Sequence, residues 1–159
     1  MIVTYFTGGL FLLTAGVMRL AFYNPFSAFD PLVCLILYCS FFRPFKEGII
    51  NSVVWGLAMD SMSVCPFGLH AIIYLGIFLL FRWLPKYIDI KNIFFLGLAS
   101  ALSQFFQWIF YFIIFLVLGL PNPPFDSDLS LLLKAMAWAG LLGWAIILGF
   151  DKVQTRLQK

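Results

Sequence analysis

The feature that most constrains this chain is a succession of apolar runs with only short polar breaks between them. The runs cover residues 2–18, 26–42, 48–60, 68–84, 92–120 and 129–150. A helix that crosses a bilayer needs about 20 predominantly apolar residues, with about 17–25 as the working range. The third run is short by that measure, and the fifth is too long to stand upright as one helix within lipid. Pro31 lies near the start of the second run, where a first turn tolerates proline. Pro121, Pro123 and Pro124 separate the last two runs, and no helix passes through them. Soluble domains carry about 25% charged residues, whereas only 11% of these 159 residues are charged. The sequence therefore predicts an all-α polytopic membrane protein: one domain over residues 1–159, built as a single bundle of six transmembrane helices with short loops.

The first run has no basic residue before it, and Arg19 follows it. That is the reverse of a secretory signal, so the run is read as a retained helix. Cys34, Cys39 and Cys65 lie in or beside apolar runs and fit no metal spacing. They are read as small buried hydrophobes.

Orientation follows the distribution of Lys and Arg in the loops. Arg43, Lys46, Arg82, Lys86, Lys91, Lys152, Arg156 and Lys159 fall on one side. Arg19 stands alone on the other, with Asp30, Asp126 and Asp128. Lys134 sits about a turn inside the sixth run and can snorkel outward. Both termini are thus expected in the cytoplasm. In a Cys65→Ser background, a cysteine at Pro123 should react with an impermeant maleimide on intact cells. One at Arg156 should react only after permeabilisation, and the opposite pattern would invert the orientation.

Residues 55–70, WGLAMDSMSVCPFGLH, place Asp60, Pro66, Gly68 and the chain's only histidine, His70, between apolar flanks. Asp60 stands about 18 Å along a helix from Gly48, and His70 stands about 18 Å back from Arg82. Both fall short of the outer edge of a hydrocarbon layer about 30 Å thick. An ionisable residue at that depth is a functional candidate. Irregular backbone is tolerated there only when protein or a wet cavity surrounds it. The stretch therefore predicts an outward-facing pocket or a tightly packed re-entrant turn.

Ser52, Gly56 and Asp60 recur every four residues, which is one helix face. Gly97, Ser100, Gln104, Gln107 and Tyr111 recur at three and four, with Ser103 beside them. Polar side chains within spans turn toward other helices, so these stripes are expected to line one interior region with His70. Each has a structural reading as well. Gln104 and Gln107 can be packing devices, His70 a satisfied buried histidine, and Asp60 an anchor for the turn that follows it. In that role Asp60 would accept from backbone N–H groups, Ser63 or His70. Pro66 would set the bend, and Gly68 would take a positive φ. Ala135, Ala139 and Gly143 repeat every four residues and allow close helix approach.

No Ser-x-x-Lys, His-x-x-x-His or glycine-rich phosphate loop is present, and the basic residues form no patch of the kind that binds nucleic acid. The expectation is a protein that is not an enzyme, with no catalytic residues, metal or cofactor.

The segments Gly56-Leu-Ala-Met-Asp60 and Pro66-Phe-Gly68-Leu-His70-Ala, with the chain's size, span count and proline-bearing loop before the last run, resemble the MreD family of bacterial rod shape-determining membrane proteins. The resemblance covers essentially the whole chain. Ser61-Met-Ser63 departs from it, since family members often carry leucines after the Asp. The resemblance implies a non-enzymatic subunit of the elongasome in the bacterial cytoplasmic membrane. Its implied partners are the single-span scaffold MreC, the MreB filament, and the glycosyltransferase RodA with its transpeptidase. The family is similar in fold to the substrate-binding subunits of energy-coupling-factor vitamin transporters. That leaves small-molecule capture as the alternative, discriminated by whether a scaffold or a coupling subunit with ATPases co-purifies.

Overall fold

A computed structural model of the chain describes residues 8–9, 29–62, 66–86, 92–119 and 129–157. Among these residues every regular element is a helix: α1 (Pro31–Phe42), α2 (Phe45–Met62), α3 (Leu69–Phe81), a short 3-10 turn (Leu84–Lys86), α4 (Ile93–Leu118) and α5 (Leu129–Leu157). The expected run at 2–18 and the proline loop at 121–124 lie outside the described residues, apart from Gly8 and Gly9, which are helical.

α1 is the centre of the bundle. Its residues from Pro31 to Phe41 are all buried, and α2, α3, α4 and α5 all pack on it. A helix that is apolar all round belongs inside a protein, and this one is short because protein surrounds it. Its start differs from the expected boundary at residue 26. Asp30 is the N-cap, its side chain accepting from the Leu32 N–H at 3.0 Å, and Pro31 takes the first helical position. Proline fits there because that N–H has no helical partner anyway.

At the opposite end of α1, Arg82 Nη1 donates to the Ser40 and Arg43 carbonyls at 2.6 and 2.7 Å. Helix C-terminal carbonyls lack intrahelical donors, and this guanidinium supplies them. Ser40 Oγ donates to the Phe78 carbonyl at 3.2 Å. α1 and α3 are therefore joined at this end by polar contacts as well as by apolar packing.

α2 runs 18 residues, longer than the expected 48–60, because Phe45, the charged Lys46 and Glu47, and Ser61 and Met62 are helical as well. It meets α3 backbone to backbone. A Cβ on Gly56 would lie 2.3 Å from Ala71 Cα, and one on Gly48 would enter the Phe78 ring. On another face, a Cβ on Gly8 would strike the Trp55 indole at 2.2 Å, so the backbone at residue 8 lies directly on that ring.

α4 starts at Asn92, whose side chain accepts from Phe94 N–H at 3.0 Å, and ends at Gly119 with φ 63°. At 26 residues it is one unbroken helix, roughly 39 Å long. It exceeds the hydrocarbon thickness, as the run length implied. α5 continues to Leu157, seven residues beyond the expected end at 150. The two pack through small residues. A Cβ on Gly97 would lie 2.8 Å from the Gly140 carbonyl, and one on Gly143 would overlap Ser100. Ala135 and Ala139 are buried along the same seam.

Among the described residues, three helical segments are long and apolar enough to cross a membrane: Leu69–Lys86, Ile93–Leu118 and Leu132–Val153. Pro31–Phe42 is apolar but only 12 residues long. α2 has the length but carries Lys46, Glu47 and Asp60. Large exposed apolar side chains such as Phe94, Leu116, Val117 and Leu141 suit contact with lipid. The all-helical, membrane-compatible architecture is thus present in the described residues.

Candidate functional site

Asp60 ends up two residues from the end of α2 and only 4% exposed. Its Oδ2 accepts from Gly68 N–H at 2.9 Å, and its Oδ1 accepts from His70 N–H at 2.9 Å. His70 Nδ1 lies 2.7 Å from the same Oδ1. The side chain at the end of one helix thereby satisfies the first N–H groups of the next, as an N-cap does, but across ten positions of sequence. With Asp60 as a carboxylate, Nδ1 must carry the hydrogen, because a carboxylate only accepts. Gly68 takes φ 94° with open space around its Cα. That is the left-handed region where glycine is favoured over side-chain-bearing residues. Pro66 precedes this turn, and its carbonyl accepts from Leu69 N–H at 3.2 Å. Ser63 and Cys65 lie outside the described residues.

One helical turn along α3 from His70 stands Tyr74, fully buried. Its hydroxyl donates to Asp30 Oδ2 at 2.5 Å. Gln107 Nε2 donates to the same oxygen at 2.9 Å. Gln104 addresses the main chain of Asp30 instead: Nε2 donates to its carbonyl at 3.1 Å, and Oε1 accepts its N–H at 3.5 Å. Tyr111, one turn beyond Gln107 on α4, places its ring edge-on to His70 with centroids 5.6 Å apart. The His70 and Tyr74 rings meet edge to face at 6.0 Å.

Four helices thus contribute to one polar layer: Asp30 from the start of α1, Asp60 from α2, His70 and Tyr74 from α3, and Gln104, Gln107 and Tyr111 from α4. At 1.5 Å per residue, Asp30, Asp60, His70, Gln104, Gln107 and Tyr111 lie roughly 16–27 Å from the end of their own helix on the Arg43–Arg82 side, and Tyr74 about 12 Å. The layer is transverse and deep, and it belongs to the half of the bundle away from Arg43 and Arg82.

The candidate residues separate into groups. Asp60, Gly68 and His70 form the turn, with Pro66 at its entrance. Gln104 and Gln107 join the layer through Asp30. Ser52 and Gly56 do not line it. Ser52 Oγ donates to the Gly48 carbonyl of its own helix at 2.8 Å, and Gly56 is the close-approach point for α3. Gly97 and Ser100 share the α4 stripe but face α5. The helical period identified these faces correctly, but only the fold decides whether a face meets a polar neighbour or a backbone. Of the α2–α3 connection, the described residues show Pro66–Gly68 and the Asp60 bonds to the start of α3; Ser63, Val64 and Cys65 lie outside them.

Sequence reasoning counted Asp30 only as an acid on the outer side, within the run 26–42; it is buried at 2% exposure, caps α1, and is the acid that joins three helices. A signal was available. An Asp-Pro pair immediately before an apolar run reads as N-cap and first helical residue, and the run drawn from residue 26 passed over it. Tyr74 was also missed, although it lies four residues from His70 on the same helix face.

Cys34 and Cys39 are buried, and among the described residues no group of three His, Cys, Asp or Glu side chains could hold a metal ion. Every donor and acceptor pairing in the layer named above is internal, so what the arrangement does chemically is to fix helix ends and register. In comparisons with protein-family models, curated proteins and solved structures, the chain matches none.

Proposed function

We propose that the chain is a non-enzymatic membrane scaffold subunit of the MreD type. In this reading it helps to maintain rod cell shape by organising lateral peptidoglycan synthesis with an MreC-like single-span scaffold, an MreB-like filament and a RodA-type glycosyltransferase with its transpeptidase. It resides in the bacterial cytoplasmic membrane with both termini inside. The observation that carries this reading is the Asp60 turn. A carboxyl group in the bundle interior ties the end of α2 to the start of α3 through two backbone N–H groups and an imidazole. This leaves Met62 and Phe67 exposed at its rim, at 64% and 77%. A fixed turn that presents apolar side chains suits docking of another membrane segment. A capture subunit for a polar solute would need polar groups free to meet it, whereas Asp60 and His70 bond each other across α2 and α3, and Gln104 and Gln107 bond Asp30 on α1.

The test is affinity purification of the tagged full chain from the bacterium that makes it, followed by identification of the proteins recovered. Recovery of a single-span periplasmic scaffold in near-equal amount is the expected result. Recovery of a transmembrane coupling subunit with cytoplasmic ATPases, or of the chain alone from cells that express the scaffold, would overturn the proposal.

A further inference from the structure

The opposite end of the bundle holds a second concentration of chemistry, used so far only for capping. The α1–α2 corner and the end of α3 meet there. Arg82 Nη1 bonds the Arg43 carbonyl, and the Phe45 and Phe78 rings lie 5.9 Å apart. This juxtaposition places Arg43 and Arg82 in one corner, with Lys46 three residues on from Arg43 and Lys86 four residues on from Arg82. Glu47 is the acid among them, 3.8 Å from Arg43. Asp151 and Lys152 stand at the same end on α5 and cancel each other. The corner therefore keeps a surplus of positive charge. Arg43 and Arg82 are partly covered and tied into the fold, while Lys46 and Lys86 are exposed.

The flanks of this corner are apolar. Trp83 is 63% exposed and Phe45 49%, and Lys86 Nζ stands 4.4 Å over the Trp83 ring. Leu79 and Leu80, one turn deeper on α3, are exposed as well. Aromatic rings of this kind sit at the headgroup level of a bilayer, and basic residues at that level attract anionic lipid. A free anion would match the cations but leave the rings and leucines without a partner. A molecule with an anionic head and alkyl chains matches both.

We propose that this corner binds the headgroup of an anionic phospholipid. The exposed Lys46 and Lys86 ammonium groups meet the phosphate, Arg43 and Arg82 supply fixed positive charge behind them, and the chains lie along Leu79, Leu80 and Trp83. The proposal is independent of what docks at the Asp60 turn.

The experiment uses the purified full chain in a neutral detergent. It is titrated with dioleoylphosphatidylglycerol, dioleoylphosphatidylcholine or inorganic phosphate, and read by retained lipid in native mass spectrometry and by the thermal unfolding midpoint. Phosphatidylglycerol alone should be retained and should raise the midpoint, with an effect that falls as salt rises. The Lys46→Gln/Lys86→Gln double variant should weaken binding about 30-fold, from about fivefold per exposed cation. Lys134→Gln, which removes an exposed cation elsewhere, should change nothing. Equal retention of phosphatidylcholine, the same shift from inorganic phosphate, undiminished binding by the double variant, or equal loss in Lys134→Gln would each overturn the proposal.

Discussion

Asp60→Leu is expected to destabilise the folded chain by about 3–5 kcal/mol, the scale for removing the shared acceptor of several buried donors. The variant strands the Gly68 and His70 N–H groups and His70 Nδ1 together. Each buried orphan costs about 1–3 kcal/mol. Leucine favours the helix as well as aspartate's neighbours do, so α2 itself should form. The loss falls on the α2–α3 turn. A fall in the thermal unfolding midpoint in detergent measures the stability effect. Scaffold recovery by pulldown, normalised to membrane abundance by blot, measures the docking effect. Gly68→Val is the companion variant. No atom lies within 4 Å of the Cβ it would add, so its cost is backbone strain alone, about 1–2 kcal/mol for a left-handed residue with a side chain. If recovery per unit of protein falls in both variants, the shape of the turn is what the partner reads. An unchanged midpoint with unchanged recovery in Asp60→Leu would show that the acid is incidental.

That turn was legible in the sequence because its chemistry is local. A positive φ requires glycine, a bend favours proline, and the acceptor for the restarted helix lies within ten residues of its donors. The apolar runs were legible for a related reason, since the cost of exposing backbone to lipid fixes both helix type and length. Helix ends were less so. Lys46 and Glu47 at one end, and Asp151 and Lys152 at another, are unfavourable in lipid but ordinary in a helix. A boundary drawn by hydropathy therefore stops short of the boundary set by backbone hydrogen bonds. The polar layer was the least legible part. Tyr74, Gln104 and Gln107 lie 44, 74 and 77 positions from Asp30, and no sequence period specifies which helix a stripe will face. Gly56 carries the same lesson. Its place on the Asp60 face was correct, but the packing of α3 gave that face two different uses: a close approach of backbones at Gly56 and a hydrogen-bonded turn at Asp60.

Asp30 provides the sharper test of the layer as a unit, because its oxygens have separable duties. Oδ1 caps α1 through Leu32 N–H, while Oδ2 accepts from Tyr74 and Gln107. Asp30→Ala removes both duties. Its expected cost is about 3–5 kcal/mol, combining a lost cap at roughly 0.5–2 with two hydrogen bonds to a charged group at about 1.5 or more each. Asn caps a helix about as well as Asp does. Asp30→Asn therefore keeps the cap but turns an amide N–H₂ toward two groups that are themselves donors, and it should recover only the capping part of the loss. Tyr74→Phe removes one donor, leaves Gln107 in place and costs about 1.5–3 kcal/mol. The combination of Tyr74→Phe with Asp30→Ala should then cost less than the sum of the two, with a coupling of about 1–3 kcal/mol, since partners in one network are not additive. Unfolding midpoints and denaturation curves for the four proteins in mixed micelles give that coupling directly. Additivity within about 0.3 kcal/mol, the margin typical of independent sites, would mean that Asp30 and Tyr74 do not act on each other, and that α1 and α4 meet α3 at this depth through apolar packing alone.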